Sequence, residues 1–250
     1  MSFVIDRVAV VGAGVMGAGI AQVLAVAGCR VALVDVEPGQ LETAMDTIAR
    51  GPFGLDRSVL RGRLSDTQAR NAAGAICPTT DLGLACADAQ VVIEAVPEDI
   101  GLKVRVFRDL DRRCPPDTIL ASNTGGLSIT ALAYATDRPT RVLGWHFSQP
   151  VPAMALAELV THAGTDSTVV DTVSELAARC GKNPIVVSES QRSWGFVVNR
   201  INRAVRREAA QIVTEGVATP EQVDQLIKDA FRWPMGPFEM EGARVIGPAS

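Results

Sequence analysis

The sequence predicts an α/β fold, in which a doubly wound and mostly parallel sheet is followed by a small all-α domain. Three observations lead to this prediction. Short β-branched runs alternate with helix-like segments over most of the 250 residues. A glycine-rich turn lies between the first run and the first helix-like segment, and only helical patterns follow Ser188. This alternation is typical of parallel sheets that carry helices on both faces.

The predicted strands are apolar runs without clean polar alternation, which is the pattern of strands buried on both faces. They are Arg7–Val11, Arg30–Val34, Ala89–Glu94, Thr118–Ala121, Arg141–Gly144 and Asn183–Val187. The helix-like segments between them are Gln40–Arg50, Ile100–Arg112, Ser128–Tyr134 and Thr168–Cys180, with an arginine-rich helical hairpin from Arg50 to Arg70. The first domain therefore reads β-α-β-α, and we place it at residues 1–189.

Residues 190–250 form the predicted helical domain. Apolar residues recur at helical spacing from Gly195 to Thr214, and Gly216 follows in the position of a C′ glycine. The stretch Thr219-Pro220-Glu221-Gln222 predicts a second helix, with an N-cap, a proline at N1 and a capping-box glutamine. The last residues, from Gly236 to Ser250, predict irregular structure.

Composition argues against several functional classes. The 24 basic and 28 acidic residues give a net charge of -4, so no overall field attracts nucleic acid or an anionic membrane. The five cysteines are scattered and include no C-x-x-C pair, which predicts neither a disulfide framework nor a metal site and favours the cytoplasm. The uncharged stretch from Val8 to Gly28 is interpreted as a strand, a glycine turn and a helix rather than a membrane span.

The most specific local motif is G-x-G-x-x-G, formed by Gly12, Gly14 and Gly17 with Val15 and Met16 between them. Its first glycine permits a tight turn, the second lets a pyrophosphate approach the backbone, and the third allows close packing of helix and strand. The motif follows a predicted strand and opens a predicted helix, so it predicts a Rossmann-type dinucleotide site. A glycine-rich turn that only packs is the alternative.

Asp35 ends the second predicted strand, eighteen residues after Gly17. A carboxylate at this position accepts hydrogen bonds from the ribose hydroxyls of the adenosine half and repels a 2′-phosphate. The predicted cofactor is therefore NAD rather than NADP.

His146 and His162 are the two histidines of the chain. His146 closes the apolar run that begins at Arg141, and open α/β sheets present their ligands at such carboxyl ends. Its imidazole suits a base that takes a hydroxyl proton while hydride leaves for a nicotinamide. Glu158 is the best candidate for a carboxylate that orients His146, although their spacing does not show that they meet. A structural histidine is the alternative.

Six longer motifs together resemble the (S)-3-hydroxyacyl-CoA dehydrogenase family over almost the whole chain. They are GAGVMGAGIA (Gly12–Ala21), EAVPEDIGLK (Glu94–Lys103), SNTGGL (Ser122–Leu127), HFSQPVPAMALAE (His146–Glu158), GFVVNR (Gly195–Arg200) and WPMGPFE (Trp233–Glu239). The resemblance implies hydride transfer between NAD and C3 of an acyl thioester of coenzyme A, and a possible homodimer.

The resemblance also implies roles for individual residues. His146 would be the general base and Glu158 its orienting carboxylate, with Asn199 near the reacting oxygen. Glu98, Lys103 and Asn123 would line the nicotinamide side of the cofactor, and Ser122, Gly125 and Gln149 would lie on the substrate side. The alternative for Glu98 and Lys103 is a solvated pair on a helix face.

Three departures from the family concern the substrate. Gly125 stands where the family usually has a serine whose hydroxyl would bond the reacting oxygen, and losing such a donor costs about 3 kcal/mol of transition-state stabilisation. Gln149 replaces a shorter asparagine. The helical domain is shorter than is usual in the family, which bears on the acyl pocket and on the dimer.

Three functions therefore stay open at this point. The first is the 3-hydroxyacyl-CoA dehydrogenase itself. The second keeps the hydride chemistry but acts on a thioester of acyl carrier protein or on a free hydroxy acid. The third is an NAD-binding protein without dehydrogenase activity.

Overall fold

The computed structural model describes residues 5–189 and 195–240. The chain divides into two compact units, Met1–Arg192 and Ser193–Ser250. The described part of the first unit is an α/β domain, and that of the second is helical.

Eight strands of the first unit form one sheet in the described chain. They are β1 (Arg7–Val11), β2 (Arg30–Val34), β3 (Ile76–Thr79), β4 (Val91–Glu94), β5 (Ile119–Ser122), β6 (Val142–Phe147), β7 (Leu156–Thr161) and β8 (Asn183–Ser188). Their helices are α1 (Val15–Val26), α2 (Pro38–Arg50), α3 (Leu55–Leu60), α4 (Asp66–Gly74), α5 (Leu82–Cys86), α6 (Ile100–Arg113), α7 (Ile129–Ala133) and α8 (Ser167–Arg179). The predicted doubly wound, mostly parallel sheet is confirmed.

The order of the strands explains where a ligand can bind. It is β3-β2-β1-β4-β5-β6-β7-β8, and every neighbouring pair is parallel except β6 and β7. The chain winds outward from β1 to β3 and then returns to the other side of β1 with β4. The loops after β1 and β4 therefore diverge, and open α/β sheets bind ligands in the crevice at such a point.

Two strands were missing from the sequence prediction. β3 is a short edge strand that contains Pro78, and proline lowers the strand signal because it cannot donate to the ladder. β7 contains Glu158 in its middle, and the charge interrupts an otherwise apolar run. β7 is the strand that pairs antiparallel with β6, so the single antiparallel pair of the described sheet was not predicted.

The centre of the sheet is completely buried. Every residue of β4, β5 and β6 is buried, as predicted for strands covered on both faces. Three of these buried positions carry polar side chains near the carboxyl ends, namely Glu94, Ser122 and His146. Burying polar groups is costly unless they are hydrogen-bonded, so their partners matter for function.

The described helices of the second unit are α9 (Val198–Thr214) and α10 (Pro220–Phe231). Gly216 has the positive φ of 70° expected after the end of α9. Thr219 caps α10 and forms the predicted capping box with Gln222. These local predictions are confirmed. They could be made from the sequence because a helix cap depends on only a few neighbouring residues. Of the predicted irregular end, residues 236–238 are neither helix nor strand, Glu239 and Met240 are helical, and residues 241–250 lie outside the described part of the chain.

The uncharged stretch from Val8 to Gly28 is divided between β1 and α1, as predicted. Within residues 5–189 and 195–240, no helix combines the length and apolarity that crossing a membrane requires.

Candidate active site

The turn between β1 and α1 shows why its three glycines differ. Gly12 has φ +102°, and a Cβ there would lie 2.7 Å from the carbonyl oxygen of Ala95, at the end of β4. A Cβ on Gly17 would lie 1.7 Å from the carbonyl oxygen of Gly12. A Cβ on Gly14 would meet nothing within 4 Å. Gly12 and Gly17 therefore serve the fold, whereas the open space at Gly14 fits the approach of a pyrophosphate.

The first turn of α1 is suited to an anion. Its N-cap, Gly14, has no side chain to bond the first N–H groups, and the turn contains no acidic residue. The first turn of the helix thus supplies neither a side-chain cap nor a carboxylate of its own to the positive end of the helix dipole. Val15, which opens the helix, is half-exposed. These residues fit the phosphates of a dinucleotide.

Asp35 follows β2 and lies beside the same turn. Its Oδ2 accepts a hydrogen bond from the N–H of Ala13 at 2.7 Å, and its Oδ1 accepts one from the N–H of Glu37 at 3.1 Å. Gln40 of α2 supports the turn as well, because its Nε2 donates to the Ala13 carbonyl at 3.1 Å. The sequence prediction missed Gln40. Its position in the first turn of the helix that follows Asp35 was the signal that could have found it.

His146 and Glu158 meet across the antiparallel pair of β6 and β7. They are direct partners in the register, and His146 Nδ1 lies 2.8 Å from Glu158 Oε2. Both residues are buried. Because a carboxylate only accepts, the proton of a neutral imidazole lies on Nδ1, and Nε2 carries the lone pair. This is the arrangement that a general base requires.

His162 provides a contrast within the same domain. Its Nε2 donates to the Pro139 carbonyl at 2.9 Å, and its Nδ1 accepts from the N–H of Gly164 at 3.1 Å. Both ring nitrogens are therefore bonded to the backbone, which makes His162 a structural histidine.

The loops after β4 and β5 bring several predicted site residues together. Glu98 Oε1 accepts a hydrogen bond from the hydroxyl of Thr124 at 2.5 Å and one from the N–H of Gly125 at 3.0 Å. Asn123 Oδ1 accepts from the N–H of Phe147 at 3.1 Å, next to His146. Since that N–H requires an oxygen, the amide NH2 of Asn123 is on the other side and can donate to a ligand.

Lys103 is buried, and its side chain is only 1% exposed. Its Nζ lies 2.6 Å from Glu94 Oε1 and 3.4 Å from Glu98 Oε2. The alternative of a solvated pair on a helix face is therefore wrong. Ser122 is also fully buried and donates its hydroxyl to Glu94 Oε2 at 2.6 Å. The expected place of Ser122 on the substrate side is therefore not supported, because its hydroxyl is buried and bonded to Glu94.

Glu94 was not predicted as a functional residue. Burial raises the pKa of its carboxyl, and the Lys103 ammonium acts in the opposite direction. A charged residue at the end of an apolar run was the signal, but the sequence alone does not show that it is buried.

Three other predicted sites belong to other elements of the chain. Gln149 is exposed in the loop after β6, and Asn199 lies in α9 of the second unit. The helical hairpin is formed by α3 and α4, and its Arg61 guanidinium lies 6.0 Å from the Phe53 ring centroid. The hairpin arginines are exposed, which suits either a solvated face or an anionic ligand.

Comparison with known proteins gives consistent results over both units. Residues 7–190 match the NAD binding domain of 3-hydroxyacyl-CoA dehydrogenase, and residues 195–244 match its C-terminal domain. A similar protein is the 3-hydroxybutyryl-CoA dehydrogenase of Mycobacterium tuberculosis, which is 40% identical over 242 residues, 96% of this chain and 82% of that protein.

Two solved structures are similar to this chain. The (S)-3-hydroxybutyryl-CoA dehydrogenase PaaH1 from Ralstonia eutropha has a TM-score of 0.88 and 38% identity, covering 94% of this chain and 81% of that one. An NAD+-dependent dismutase, 5-formyl-3-hydroxy-2-methylpyridine 4-carboxylic acid 5-dehydrogenase, has a TM-score of 0.80 and 31% identity, covering 96% and 77%.

Proposed function

The chain belongs to the 3-hydroxyacyl-CoA dehydrogenase family, and on that premise we propose that it interconverts (S)-3-hydroxyacyl-CoA and 3-ketoacyl-CoA. Its first unit is an NAD-binding domain. The observation that carries the proposal is the buried pair of His146 Nδ1 and Glu158 Oε2, 2.8 Å apart near the carboxyl edge of that domain's sheet.

In this reaction His146 acts as the general base. Its Nε2 takes the proton of the C3 hydroxyl, and the resulting imidazolium is stabilised by Glu158 through Nδ1–H. NAD, when bound, accepts the hydride that leaves C3. In the reverse direction the protonated His146 returns the proton to the carbonyl oxygen. Glu158 also fixes the tautomer, since without an acceptor the ring proton could move to Nε2.

The loops after β4 and β5 support the cofactor in this proposal. Asn123 is held by the Phe147 N–H, directly beside His146, and offers its NH2 group as a donor. Glu98 is held by Thr124 and Gly125 and is expected on the nicotinamide side. Asn199 keeps its expected role near the reacting oxygen as a prediction from the family.

The expected substrate is a short acyl thioester of coenzyme A. The Mycobacterium and Ralstonia relatives are named for 3-hydroxybutyryl-CoA, which sets the chain length that should be tried first. Arginines of the helical hairpin offer guanidinium groups that suit phosphates. A homodimer and a cytoplasmic location remain predictions.

The test is NADH formation from (S)-3-hydroxybutyryl-CoA by purified protein, with NAD binding titrated by fluorescence in parallel. His146→Gln should bind NAD normally and lose about a hundredfold or more of kcat. His162→Gln is the matched control and should keep the wild-type kcat. If wild-type protein binds NAD but oxidises no short- or medium-chain 3-hydroxyacyl-CoA, the proposal is wrong.

A second candidate keeps the chemistry and changes the substrate. Gly125 and Gln149 depart from the family on the expected substrate side, and the pyridine carboxylic acid dehydrogenase shows that a relative of 31% identity is named for a compound without a thioester. Free 3-hydroxy acids and acyl-carrier-protein thioesters should therefore be assayed beside the CoA thioester. Turnover of either one, with none of the CoA form, would favour this candidate.

The third candidate, an NAD-binding protein without dehydrogenase activity, is motivated by the missing serine at Gly125. It predicts that His146→Ala leaves the cellular function unchanged. The presence of both members of the His146–Glu158 pair argues against it, because a site that no longer catalyses has no need to keep a base and its orienting carboxylate.

A further inference from the structure

A buried ion pair lies at the carboxyl end of β4, beside the expected cofactor site. Glu94 pairs in register with Val11 of β1 and with Ser122 of β5, so it lies where the winding of the sheet reverses. Its side chain is 0% exposed, and that of its partner Lys103 is 1% exposed. Neither side chain is exposed, so this is not a surface ion pair.

Each oxygen of Glu94 reaches a different loop. Oε1 accepts from the N–H of Val96 at 2.7 Å and from Lys103 Nζ at 2.6 Å, in the loop after β4 and in α6. Oε2 accepts from the Ser122 hydroxyl at 2.6 Å, and Ser122 Oγ in turn accepts from the N–H of Thr124 at 3.2 Å. One carboxylate thus connects the loop after β4 to the loop after β5.

Lys103 and Thr124 complete the connection. Lys103 Nζ donates to the Val96 carbonyl at 2.9 Å and lies 3.4 Å from Glu98 Oε2. Thr124 is fully buried; its hydroxyl donates to Glu98 at 2.5 Å and accepts from the N–H groups of the two residues that follow Gly125. Glu98, which has 40% of its side chain exposed, is the outer end of this network.

Stability alone is a poor explanation for such a pair. Removing two charges from water is costly, and apolar residues of similar volume often stabilise a core equally well or better. What apolar residues cannot do is bond Val96, Ser122 and Glu98 at once. The network is therefore better explained by the loops that it holds.

We propose that Glu94, paired with Lys103, is a positioning residue that holds the loops carrying Glu98 and Asn123 in the arrangement that the nicotinamide half of NAD requires. This inference rests on the proposed function, since it assumes that these loops face the nicotinamide. Glu94 touches neither cofactor nor substrate in it, and acts through the backbone of Val96 and through Ser122. The adenosine half, at Gly14 and Asp35, does not depend on Glu94.

The test compares two ligands, NAD and ADP-ribose, which lacks the nicotinamide ring. Glu94→Gln is nearly isosteric but cannot carry the charge. It should bind ADP-ribose like the wild type, bind NAD about fivefold or more weakly relative to ADP-ribose, and lose about tenfold or more of kcat. The ratio of the two affinities is measured without substrate, so it is informative even if the proposed reaction fails.

Asp111→Asn is the matched control. Asp111 forms a similarly shielded ion pair with Arg138 at 2.7 Å, with side chains 11% and 13% exposed, and it bonds the backbone of Asp137. Its substitution should lower stability and leave the ratio of NAD to ADP-ribose affinity unchanged.

Two outcomes would overturn the proposal. The first is a Glu94→Gln protein with wild-type kcat and a wild-type ratio of affinities. The second is an equal loss of affinity for both ligands, which would mean that Glu94 stabilises the domain as a whole. If Glu94→Gln does not fold, Ser122→Ala decides, because it removes the hydroxyl that connects Glu94 to the N–H of Thr124 and leaves the bonds of Glu94 to Val96 and Lys103 in place. An unchanged ratio in that variant would contradict the proposal as well.

Discussion

At the scale of single residues, the three glycines of the β1–α1 turn illustrate how one motif combines two requirements. Gly12 and Gly17 are needed by the backbone, since a Cβ on either would overlap a carbonyl oxygen. Gly14 has ordinary backbone angles, with φ at -65° and ψ at -173°, and open space around its Cα. Only a ligand gives a reason for glycine at this position.

Alanine substitutions should separate these requirements. Gly17→Ala should lower the free energy of unfolding by about 3 kcal/mol or more, because its methyl group would overlap the Gly12 carbonyl. Gly14→Ala should change it by less than about 1 kcal/mol and weaken NAD binding by about tenfold or more. Denaturant unfolding and a fluorescence titration measure the two effects. Equal stability loss in both variants would show that Gly14 also serves the fold.

In the proposed reaction Glu158 has two roles: it orients the His146 ring, and its negative charge stabilises the His146 imidazolium. In Glu158→Gln the amide can accept from His146 Nδ1–H or donate to an unprotonated Nδ1, so control of the tautomer is lost. We expect kcat to fall by about a thousandfold, while NAD affinity stays close to the wild-type value. Single-turnover kinetics and NAD titration provide the measurement. A collapse of NAD binding would instead make Glu158 a structural residue.

At the scale of elements, Lys182 forms hydrogen bonds to the backbone of the loop between β6 and β7. This lysine precedes β8 and is only 8% exposed. Its Nζ donates to the carbonyls of Val151 at 2.5 Å and Met154 at 2.8 Å. Burial lowers its pKa. The connection matters because this loop joins the strands that carry His146 and Glu158.

Lys182→Met tests this connection. Removing the ammonium leaves two carbonyls without their donor, which should cost about 1–3 kcal/mol of unfolding free energy. Denaturant unfolding followed by circular dichroism gives the value. Lys228→Met is the comparison, because Lys228 forms its ion pair with Glu239 near the surface and should matter much less. If both variants are equally stable, the bonds of Lys182 contribute little.

At the scale of the whole molecule, the five cysteines report on the packing of the sheet and its helices. All five are free; Cys77 is exposed, Cys29, Cys86 and Cys114 are buried, and Cys180 is intermediate. Burial raises the pKa of Cys29, and it raises that of Cys180 to about 12. Since the thiolate is the reactive form, these thiols should be inert at neutral pH.

Because Cys77 is the exposed cysteine, a polar thiol reagent should label it quickly in the native protein and label the other four only after unfolding. Cys77→Ser should abolish the fast phase, and a fast phase that persists would mean that one of the other four cysteines is accessible in the folded protein.

The raised pKa values of Cys29 and Cys180 also give a sign for stability. A thiol whose pKa is higher in the folded state favours folding below the ordinary value of 9.0, and this contribution is lost as the pH rises toward 12. Alkaline unfolding followed by fluorescence measures that loss.

The sequence by itself determined those features that depend on neighbouring residues. The glycine turn, the acidic residue after β2 and the capping box of α10 each need a few residues in a fixed order, so their patterns were sufficient. The alternation of strands and helices predicted the doubly wound sheet, because short connections and right-handed crossovers leave few arrangements.

Only the tertiary structure decided the contacts between distant residues. β7 was not predicted, because Glu158 interrupts its apolar run. The antiparallel register that brings Glu158 to His146 was therefore not predicted either. Lys103 could be read as a solvated helix residue until the packing of α6 buried it against Glu94. The physical reason is the same in both cases: a charged side chain has the same sequence signature whether it faces water or a buried partner, and only long-range packing removes the water.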